Sequence, residues 1–231
     1  MTALQELLHT YRQAAVTERE KGTYFEELMM RYFAFEPMYK DKYAEVWLWE
    51  AFKQHRIQHG FDDIGTDAGI DLVAKTRDTN EYCAIQCKFY AQDYSVKKSD
   101  IDSFFTASGN KLFSHRIIVS TTNHWSEHAE AALSNQHIPV IKLDLNALEE
   151  SVIDWSQYQP KQDVILKPKK QLRDHQKTAL NAVEQGFATA ERGKLIMACG
   201  TGKTFTSLKI AEKLAGKGKR VLFLVPSLSL L

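Results

Sequence analysis

Cysteine and long apolar runs are both scarce in this sequence of 231 residues. The three cysteines, Cys83, Cys87 and Cys199, are odd in number and form no CxxC pair. This excludes a disulfide scaffold and a paired-cysteine zinc site, and the thiols are expected to be reduced. No segment approaches the roughly 18 apolar residues of a membrane span, and the N-terminal residues lack a basic segment followed by an apolar one. We therefore expect a cytoplasmic protein without a membrane partner.

The overall composition is that of a packed globular protein. Hydrophobic residues make up 44% of the chain and charged residues 26%, which argues against disordered, collagen-like and coiled-coil classes. The net charge of +1 conceals an asymmetry, since residues 1–160 hold 16 Lys and Arg against 24 Asp and Glu, a net of −8. Residues 161–231 hold 14 against 5, a net of +9. The basic segment favours an anionic partner such as nucleotide or nucleic acid, although solvated lysine-rich faces are also common.

The apolar periodicity of the first 160 residues predicts a mixed α/β unit. It predicts a helix over residues 2–19, and Thr23 with Glu26 fits a capping box at the start of a second helix that stops at Pro37. Further strands are predicted over residues 46–49, 69–76, 81–90, 115–122 and 138–144, and further helices over residues 50–60, 97–109 and 126–136. The strands over 69–76 and 81–90 flank a short turn, so we expect an antiparallel hairpin.

A polar stretch with two prolines separates this unit from a second one. We expect a first domain over residues 1–160 with its core at about 20–145, a linker over 161–171, and a second domain over 172–231. The second segment is predicted as a helix over 172–190, a strand, tight loop and helix from residue 194, and a buried strand over 220–226. This order of elements begins a βαβ unit. The segment is too short for a complete doubly wound sheet, so we expect it to be the start of a longer protein.

Three polar residues of the predicted hairpin are suited to act together in one catalytic site. Asp71 closes a turn-rich segment, and Gln86 and Lys88 follow 15 and 17 residues later on one face of a strand. Asp71 and the main-chain carbonyl of Cys87 are suitable oxygen ligands for Mg²⁺ or Mn²⁺, with Lys88 beside the attacking water. These are the parts that phosphodiester hydrolysis needs.

The hairpin also resembles the PD-(D/E)xK nuclease superfamily, and more narrowly the Mrr-like restriction endonucleases. Their signature, GIDL followed by QxK, stands here as Gly69-Ile-Asp-Leu72 and Gln86-Cys-Lys88. The family places a Glu on its first core helix in a Gly-x-x-Phe-Glu setting, which Gly22, Phe25 and Glu26 match. The resemblance covers about residues 20–145 and implies a mixed sheet flanked by helices, with Glu26 as a further catalytic residue and metal ligand.

Each of these residues, considered alone, could also have a purely structural role. Asp71 could cap a turn, and Gln86 and Lys88 could be solvent-facing residues of a hairpin, but their joint occurrence with Glu26 favours the catalytic interpretation. Asp67 is a possible extra ligand, although a turn aspartate is more often structural. Two histidine pairs at helical spacing, His55 with His59 and His124 with His128, are expected to have surface or packing roles.

A second candidate site lies in the basic segment, residues 161–231. Gly200, Thr201 and Gly202 precede Lys203 and Thr204 between an apolar strand and a helix, so main-chain amides and the helix N-terminus can hold phosphates. Lys203 would reach the β and γ phosphates of ATP, and Thr204 would bind the nucleotide magnesium. The two glycines supply the conformational freedom that such a loop requires.

This loop resembles motif I of superfamily 2 helicases and translocases, which begin a RecA-like domain. Upstream, Arg173 and Gln176 resemble the element that such motors place against adenine, and downstream Val225-Pro-Ser227 resembles motif Ia, which contacts nucleic acid. The acidic Walker B sequence and the later motifs are lacking in this sequence. We therefore expect this chain to bind nucleotide weakly and not to hydrolyse it.

Together, the two resemblances imply a nuclease joined to a DNA translocase motor, as in type I and single-polypeptide type ISP restriction enzymes. The implied substrate is double-stranded DNA, and the oligomeric state stays open. One alternative is a DNA-binding module that does not cut, because Gln86 replaces the acid of the parent superfamily. Another is a repair or antiviral helicase-nuclease, which only sequence beyond residue 231 would separate from the restriction enzyme.

Overall fold

A computed structural model of the chain divides into two units, Met1–Lys167 and Pro168–Leu231. The structure describes residues 1–61, 64, 69–134, 136–160, 162–168, 170–198, 200–216 and 219–224. Asp67, Cys199 and the segment over residues 225–227 that resembles motif Ia lie outside the described residues. No helix within the described ranges is both long and apolar enough to cross a membrane.

The first unit alternates helices and strands. Its helices are α1 (Ala3–Ala14), α2 (Glu18–Phe35), α3 (Pro37–Lys42), α4 (Trp49–Gln58), α5 (Lys98–Ala107), α6 (Glu127–Ser134) and α7 (Leu145–Glu149). Its strands are β1 (Tyr43–Leu48), β2 (Leu72–Thr76), β3 (Tyr82–Lys88), β4 (Ser95–Val96), β5 (Phe113–Ser120), β6 (His124–Trp125) and β7 (Val140–Leu143). A short 3-10 helix, Trp155–Gln157, follows α7.

Five strands form one mixed sheet in the order β1-β2-β3-β5-β7. β1, β2 and β3 are antiparallel neighbours, whereas β3, β5 and β7 run parallel. Leu72 faces Ile85 across the β2–β3 pair, which confirms the hairpin expected from the sequence. β4 and β6 form a separate two-stranded parallel sheet.

Helices cover both faces of the five-stranded sheet. Ile85 of β3 packs in a cluster with Leu8 of α1 and Phe25 of α2, while its neighbour Ala84 packs in a second cluster with Phe104 of α5. This division follows from the alternation of side chains along a strand. Each fully buried large apolar side chain contributes about 1.5–3 kcal/mol. The mixed sheet flanked by helices confirms the expected architecture.

The position predicted from the sequence for the break between the first two helices is wrong. α1 ends at Ala14 and α2 begins at Glu18, with Thr17 and Glu20 forming the capping box that Thr23 and Glu26 were expected to form. The hydroxyl of Thr23 instead donates to a main-chain carbonyl of the preceding turn. Thr17 and Glu20 have the same capping signature, one turn and a half earlier in the sequence. A single glycine inside the helix, at position 22, lowers helix stability by only about 1 kcal/mol relative to alanine. Glu26 therefore lies inside α2 rather than at its start.

The second unit contains two helices, α8 (Asp174–Phe187) and α9 (Lys203–Ala215). Strands were expected at residues 194–198 and 220–226, but the described residues of these segments form no strand. Ile196 and Leu222 are each 82% exposed. A pair of strands is marginal on its own and needs further strands or a packed face for stability. Among the described residues of this unit, these apolar segments pair with no other strand.

Candidate active site

Main-chain and side-chain hydrogen bonds hold Asp71 at the point where the chain enters β2. Its main-chain N–H donates to the carbonyl of Ile85 at 3.0 Å, and its carbonyl accepts the N–H of Trp49 at 2.9 Å. Its side-chain Oδ2 accepts the main-chain N–H of Cys87 at 2.6 Å. The carboxylate is thereby attached to β3, the strand that carries both Gln86 and Lys88.

Gln86 is buried beside this carboxylate, with only 2% of its surface exposed. Its Nε2 donates to the carbonyl of Gly69 at 2.9 Å. Its Oε1 is buried and, among the described residues, has no hydrogen-bond partner. A buried acceptor without a partner costs about 1–3 kcal/mol, so it is a position where an additional electropositive ligand is favourable.

Gly69 explains why the chain can approach Gln86 so closely. Its φ of +104° lies in a region that glycine adopts readily. A Cβ at this position would lie 3.1 Å from Ser103 Oγ and 3.3 Å from Gln86 Nε2. The glycine of the GIDL segment therefore permits both the turn and the packing of Gln86 against α5.

Lys88 ends β3, where the charges of two carboxylates act on its ammonium group. Burial lowers the pKa of its ammonium group, while the negative charges of Asp71 and Asp100 act in the opposite direction. Asp100 is fixed in turn, because its Oδ2 accepts the hydroxyl of Tyr94 at 2.9 Å and the main-chain N–H of Lys97 at 2.8 Å. Lys88 is therefore a partly buried cation at the end of the strand, in the field of two carboxylates.

Glu26 approaches the same region from α2. Burial is the main cause that raises the pKa of the Cys87 thiol, and the charges of Asp71 and Glu26 raise it further. Both carboxylates therefore act on one residue of β3. The structure thus places Asp71, Gln86 and Lys88 at the end of β3, and it places Glu26 where its charge acts on Cys87 of the same strand.

Two further residues belong to this neighbourhood and were missed by sequence reasoning. The charge of Asp100 on α5 acts on Lys88, and Arg12 of α1 donates to the carbonyl of Tyr90, two residues after Lys88. Neither residue stands in a motif. Their positions depend on how α1 and α5 pack against the sheet, for which local spacing carries no signal.

The available oxygen ligands suit a hard divalent cation. The region offers the carboxylates of Asp71 and Glu26 and the unpartnered amide oxygen of Gln86. No cluster of three or more His, Cys, Asp or Glu with metal-site geometry occurs among residues that the structure describes. A cation at this site would therefore depend on amide or main-chain oxygens in addition to the two acids.

Hydrogen bonds from Gln176 and Lys203 hold the glycine-rich loop that precedes α9 in the second unit. Gly200 and Gly202 have φ values of +77° and +79°, the conformation for which glycine was expected. Gln176 Nε2 donates to the carbonyl of Thr201 at 2.9 Å, and its Oε1 accepts the main-chain N–H of Arg173. Lys203 Nζ donates to the carbonyl of Ala198 at 3.2 Å. Gln176 therefore braces the loop from α8, and Thr204 lies in the first turn of α9.

Comparisons with known proteins agree with both resemblances. Residues 34–165 match the family described as restriction endonuclease, and residues 169–231 match the family described as type III restriction enzyme, res subunit. Glu26 and Arg12 lie outside the first of these ranges. A comparison with curated proteins found no match.

Solved structures that are similar to this chain include two restriction enzymes. The first is the ATP-dependent type ISP restriction-modification enzyme LlaBIII bound to DNA, with 37% identity and a TM-score of 0.71. That match covers 92% of this chain, which spans 14% of the length of that enzyme. The second is the MspJI restriction endonuclease in complex with a 27-mer oligonucleotide, with 18% identity and a TM-score of 0.40, over 63% of this chain and 29% of that one. Because the restriction endonuclease model matches more than half of the sequence, the chain belongs to the restriction endonuclease family, and a segment of the type III res family follows that domain.

Proposed function

We propose that the first unit is a metal-dependent DNA endonuclease domain of an ATP-dependent restriction enzyme. The observation that carries this proposal is the buried, unpartnered oxygen of Gln86 on the same strand as Lys88, beside the anchored carboxylate of Asp71. The 37% identity to a type ISP enzyme that was solved bound to DNA supports DNA as the substrate, and we propose the double-stranded form.

In this proposal, Asp71, Glu26, Gln86 Oε1 and the main-chain carbonyl of Cys87 hold Mg²⁺ or Mn²⁺. The cation supplies charge for the phosphate oxygens and lowers the pKa of water. Lys88 stabilises the negative charge that develops on the phosphate and orients the attacking water. The Cys87 N–H holds Asp71 in place, so the carboxylate needs no rearrangement when DNA binds.

For the second unit, we propose nucleotide binding as the start of a translocase motor. Gly200, Thr201 and Gly202 would hold the phosphates of ATP through main-chain amides, and Lys203 would exchange its bond to Ala198 for the γ phosphate. Thr204 would bind the nucleotide magnesium. Gln176 and Arg173 would contact adenine from α8.

A plasmid-nicking assay tests the nuclease proposal directly. The 231-residue chain is incubated with supercoiled plasmid in EDTA, Mg²⁺, Mn²⁺ or Ca²⁺, and nicked product is measured over time. We expect nicking with Mg²⁺ or Mn²⁺ and none in EDTA. Asp71→Ala should abolish it, whereas Asp78→Ala should not, because Asp78 lies in the β2–β3 turn at the opposite end of the strands. Equal nicking by Asp71→Ala and the parent would refute the assignment.

A DNA-binding module without nuclease activity is the second candidate. It is favoured by the neutral Gln86 and by the absence of a three-acid cluster among the described positions. In that case, the parent chain would bind duplex DNA but release no nicked plasmid with any of the four solutions. Binding without nicking would therefore select this candidate over the nuclease.

A further inference from the structure

A small cavity lies beside the ends of β3 and β5, next to the candidate active site. Its volume is about 110 Å³, and Arg12 and His9 of α1 line one side while Gln92 and Thr121 line the other. Thr121 follows β5, and its main-chain N–H donates to the carbonyl of Lys88. The cavity is therefore tied to the end of the strand that carries the candidate catalytic lysine.

The guanidinium of Arg12 is held in one orientation at this cavity. Its Nη2 donates to the carbonyl of Tyr90 at 2.6 Å, and its Cζ lies 4.7 Å from the centre of the Phe89 ring. The cation–π contact and the short hydrogen bond restrict the rotamers of this side chain before any ligand binds. Less side-chain entropy is therefore lost on binding. Arg12 is thus preorganised rather than extended into solvent.

This cation has no acidic partner within the described ranges. Arg12 forms no ion pair there, and burial lowers its pKa without a carboxylate acting in the opposite direction. The nearby carboxylate of Glu149 accepts hydrogen bonds from Gln5 and Thr2 instead. A partly buried guanidinium without a counter-ion is stabilised by an anion, and its planar donors fit phosphate oxygens.

The position of the cavity indicates which phosphate it would meet. Tyr90, whose carbonyl holds Arg12, follows Lys88 by two residues, and two extended residues span about 7 Å. The carbonyl that holds Arg12 is therefore at most about 7 Å along the chain from Lys88, the residue proposed to contact the scissile phosphate. Since residues 1–160 carry a net charge of −8, DNA binding by this unit must depend on a small number of local cations.

We propose that Arg12, with His9 and Gln92, binds a backbone phosphate of duplex DNA next to the scissile phosphate. The proposal rests on the nuclease function argued above and adds a positioning contact outside the metal site. Because the partners are a guanidinium, an imidazole and an amide at the backbone level, the contact aligns the strand without reading its sequence.

The test measures binding to duplex DNA in EDTA, where cleavage cannot interfere. Fluorescence anisotropy of two labelled duplexes of unrelated sequence is recorded between 50 and 200 mM salt for the 231-residue chain, for Arg12→Gln and for Arg77→Gln. Arg77 is the matched control, because its guanidinium also donates to a main-chain carbonyl but lies at the far end of the hairpin, about 20 Å along β3. We expect Arg12→Gln to weaken both duplexes about tenfold and to reduce the slope of log K against log salt by about 1. Arg77→Gln should leave the slope unchanged.

Controls separate a lost contact from a lost fold. Arg12→Lys keeps the charge and should retain most of the salt slope, and the melting temperatures of all variants are recorded. Inorganic phosphate and ATP serve as competitors. Equal slopes for Arg12→Gln and the parent would overturn the proposal, as would weakened binding of inorganic phosphate with unchanged binding of DNA.

The nicking assay distinguishes this proposal from the one on which it rests. If the parent nicks plasmid, Arg12→Gln should raise KM about tenfold and change kcat by less than about twofold, as expected when uniform binding is lost. If the parent does not nick, the nuclease proposal fails, while the anisotropy slopes still decide whether Arg12 contacts DNA.

Discussion

The carboxylate of Asp71 accepts a hydrogen bond of 2.6 Å from the main-chain N–H of Cys87. That N–H belongs to β3, between the residues that supply the amide oxygen of Gln86 and the ammonium of Lys88. Hydrogen bonds to a carboxylate are shorter and stronger than those between neutral groups. The bond therefore fixes the acid of one strand relative to the two polar residues of its neighbour.

Asp71→Asn separates the charge of this residue from its structural bond. The amide oxygen of asparagine can still accept the Cys87 N–H, so we expect a melting temperature within about 3 °C of the parent, roughly the shift produced by less than 1 kcal/mol. Loss of the anionic ligand should lower the rate of Mg²⁺-dependent nicking by about 10³-fold, or about 4 kcal/mol. Parental nicking rates with normal metal dependence would place the nuclease centre elsewhere.

Gln86→Glu tests whether the unpartnered oxygen is a metal ligand. The substitution removes the donor to the Gly69 carbonyl and places a carboxylate against it, so we expect a loss of about 1–3 kcal/mol in EDTA. Mg²⁺ should then raise the melting temperature more in Gln86→Glu than in the parent, because a charged ligand binds the cation more tightly. Gln58→Glu, at the exposed end of α4, is the control for added charge. An identical Mg²⁺ effect in all three proteins would exclude Gln86 from the metal site.

Gly69→Ala tests the close approach of the GIDL turn to α5. Gly60→Ala is its matched control, since Gly60 also has a positive φ, +78°, but has no atom within 4 Å of an added Cβ. Alanine at either position should cost about 1–2 kcal/mol from the backbone conformation. Gly69→Ala should cost a further 1–3 kcal/mol, roughly, from crowding against Ser103 and Gln86. Urea unfolding midpoints measure both, and equal losses would show that Gln86 and α5 accommodate the methyl group.

The hairpin and its polar residues could be predicted from the sequence because their signals are local. The alternation of side chains along a strand fixes which residues of 81–90 share a face, and the turn at residues 77–80 fixes the antiparallel pairing with 69–76. Asp71 and Gln86 then become cross-strand neighbours as a consequence of register. The positions of α5 and α6 followed in the same way from helical periodicity.

Contacts between distant segments could not be predicted. Arg12 donates a hydrogen bond to Tyr90, 78 residues away in sequence. The charge of Asp100 acts on Lys88 only because α5 packs against the sheet. The start of α2 was wrong because two capping signatures compete within one and a half turns, and the helix uses Thr17 rather than Thr23. The strands expected in the second unit depend on neighbouring strands that local periodicity cannot supply.

Lys203→Ala tests the motor assignment in a full-length protein that contains this segment. The ammonium of Lys203 lies near the Ala198 carbonyl at the phosphate loop and is expected to move to the γ phosphate of ATP. Its loss should abolish DNA-dependent ATP hydrolysis while leaving nuclease folding intact. Lys209→Ala is the control on the same helix, because Lys209 forms an exposed ion pair with Glu212. Retained hydrolysis in Lys203→Ala would contradict the assignment.

Alkaline pH should destabilise the first unit through a buried thiol of β3. Burial raises the pKa of Cys83 to about 12 from an ordinary value of 9.0. A group whose pKa is raised on folding gives its full stabilisation below the unfolded pKa and loses it as pH rises through the folded pKa. The free energy of unfolding should therefore fall between about pH 9 and pH 12. One such group contributes about 1.4 kcal/mol per pH unit within this window.

Cys83→Ala isolates this contribution, because alanine is small, apolar and does not ionise. The cost of the substitution itself appears at every pH and cancels when each protein is compared with itself. Between pH 7.5 and pH 10, urea midpoints should fall less for Cys83→Ala than for the parent, by a difference of about 1.4 kcal/mol. Burial is the main cause that raises the pKa values of Tyr39 and Tyr43, and it acts in both proteins. The smaller contribution of Cys83 to these pKa values is removed together with the thiol. Parallel pH profiles for the two proteins would show that the Cys83 thiol ionises in the folded state as readily as in the unfolded chain.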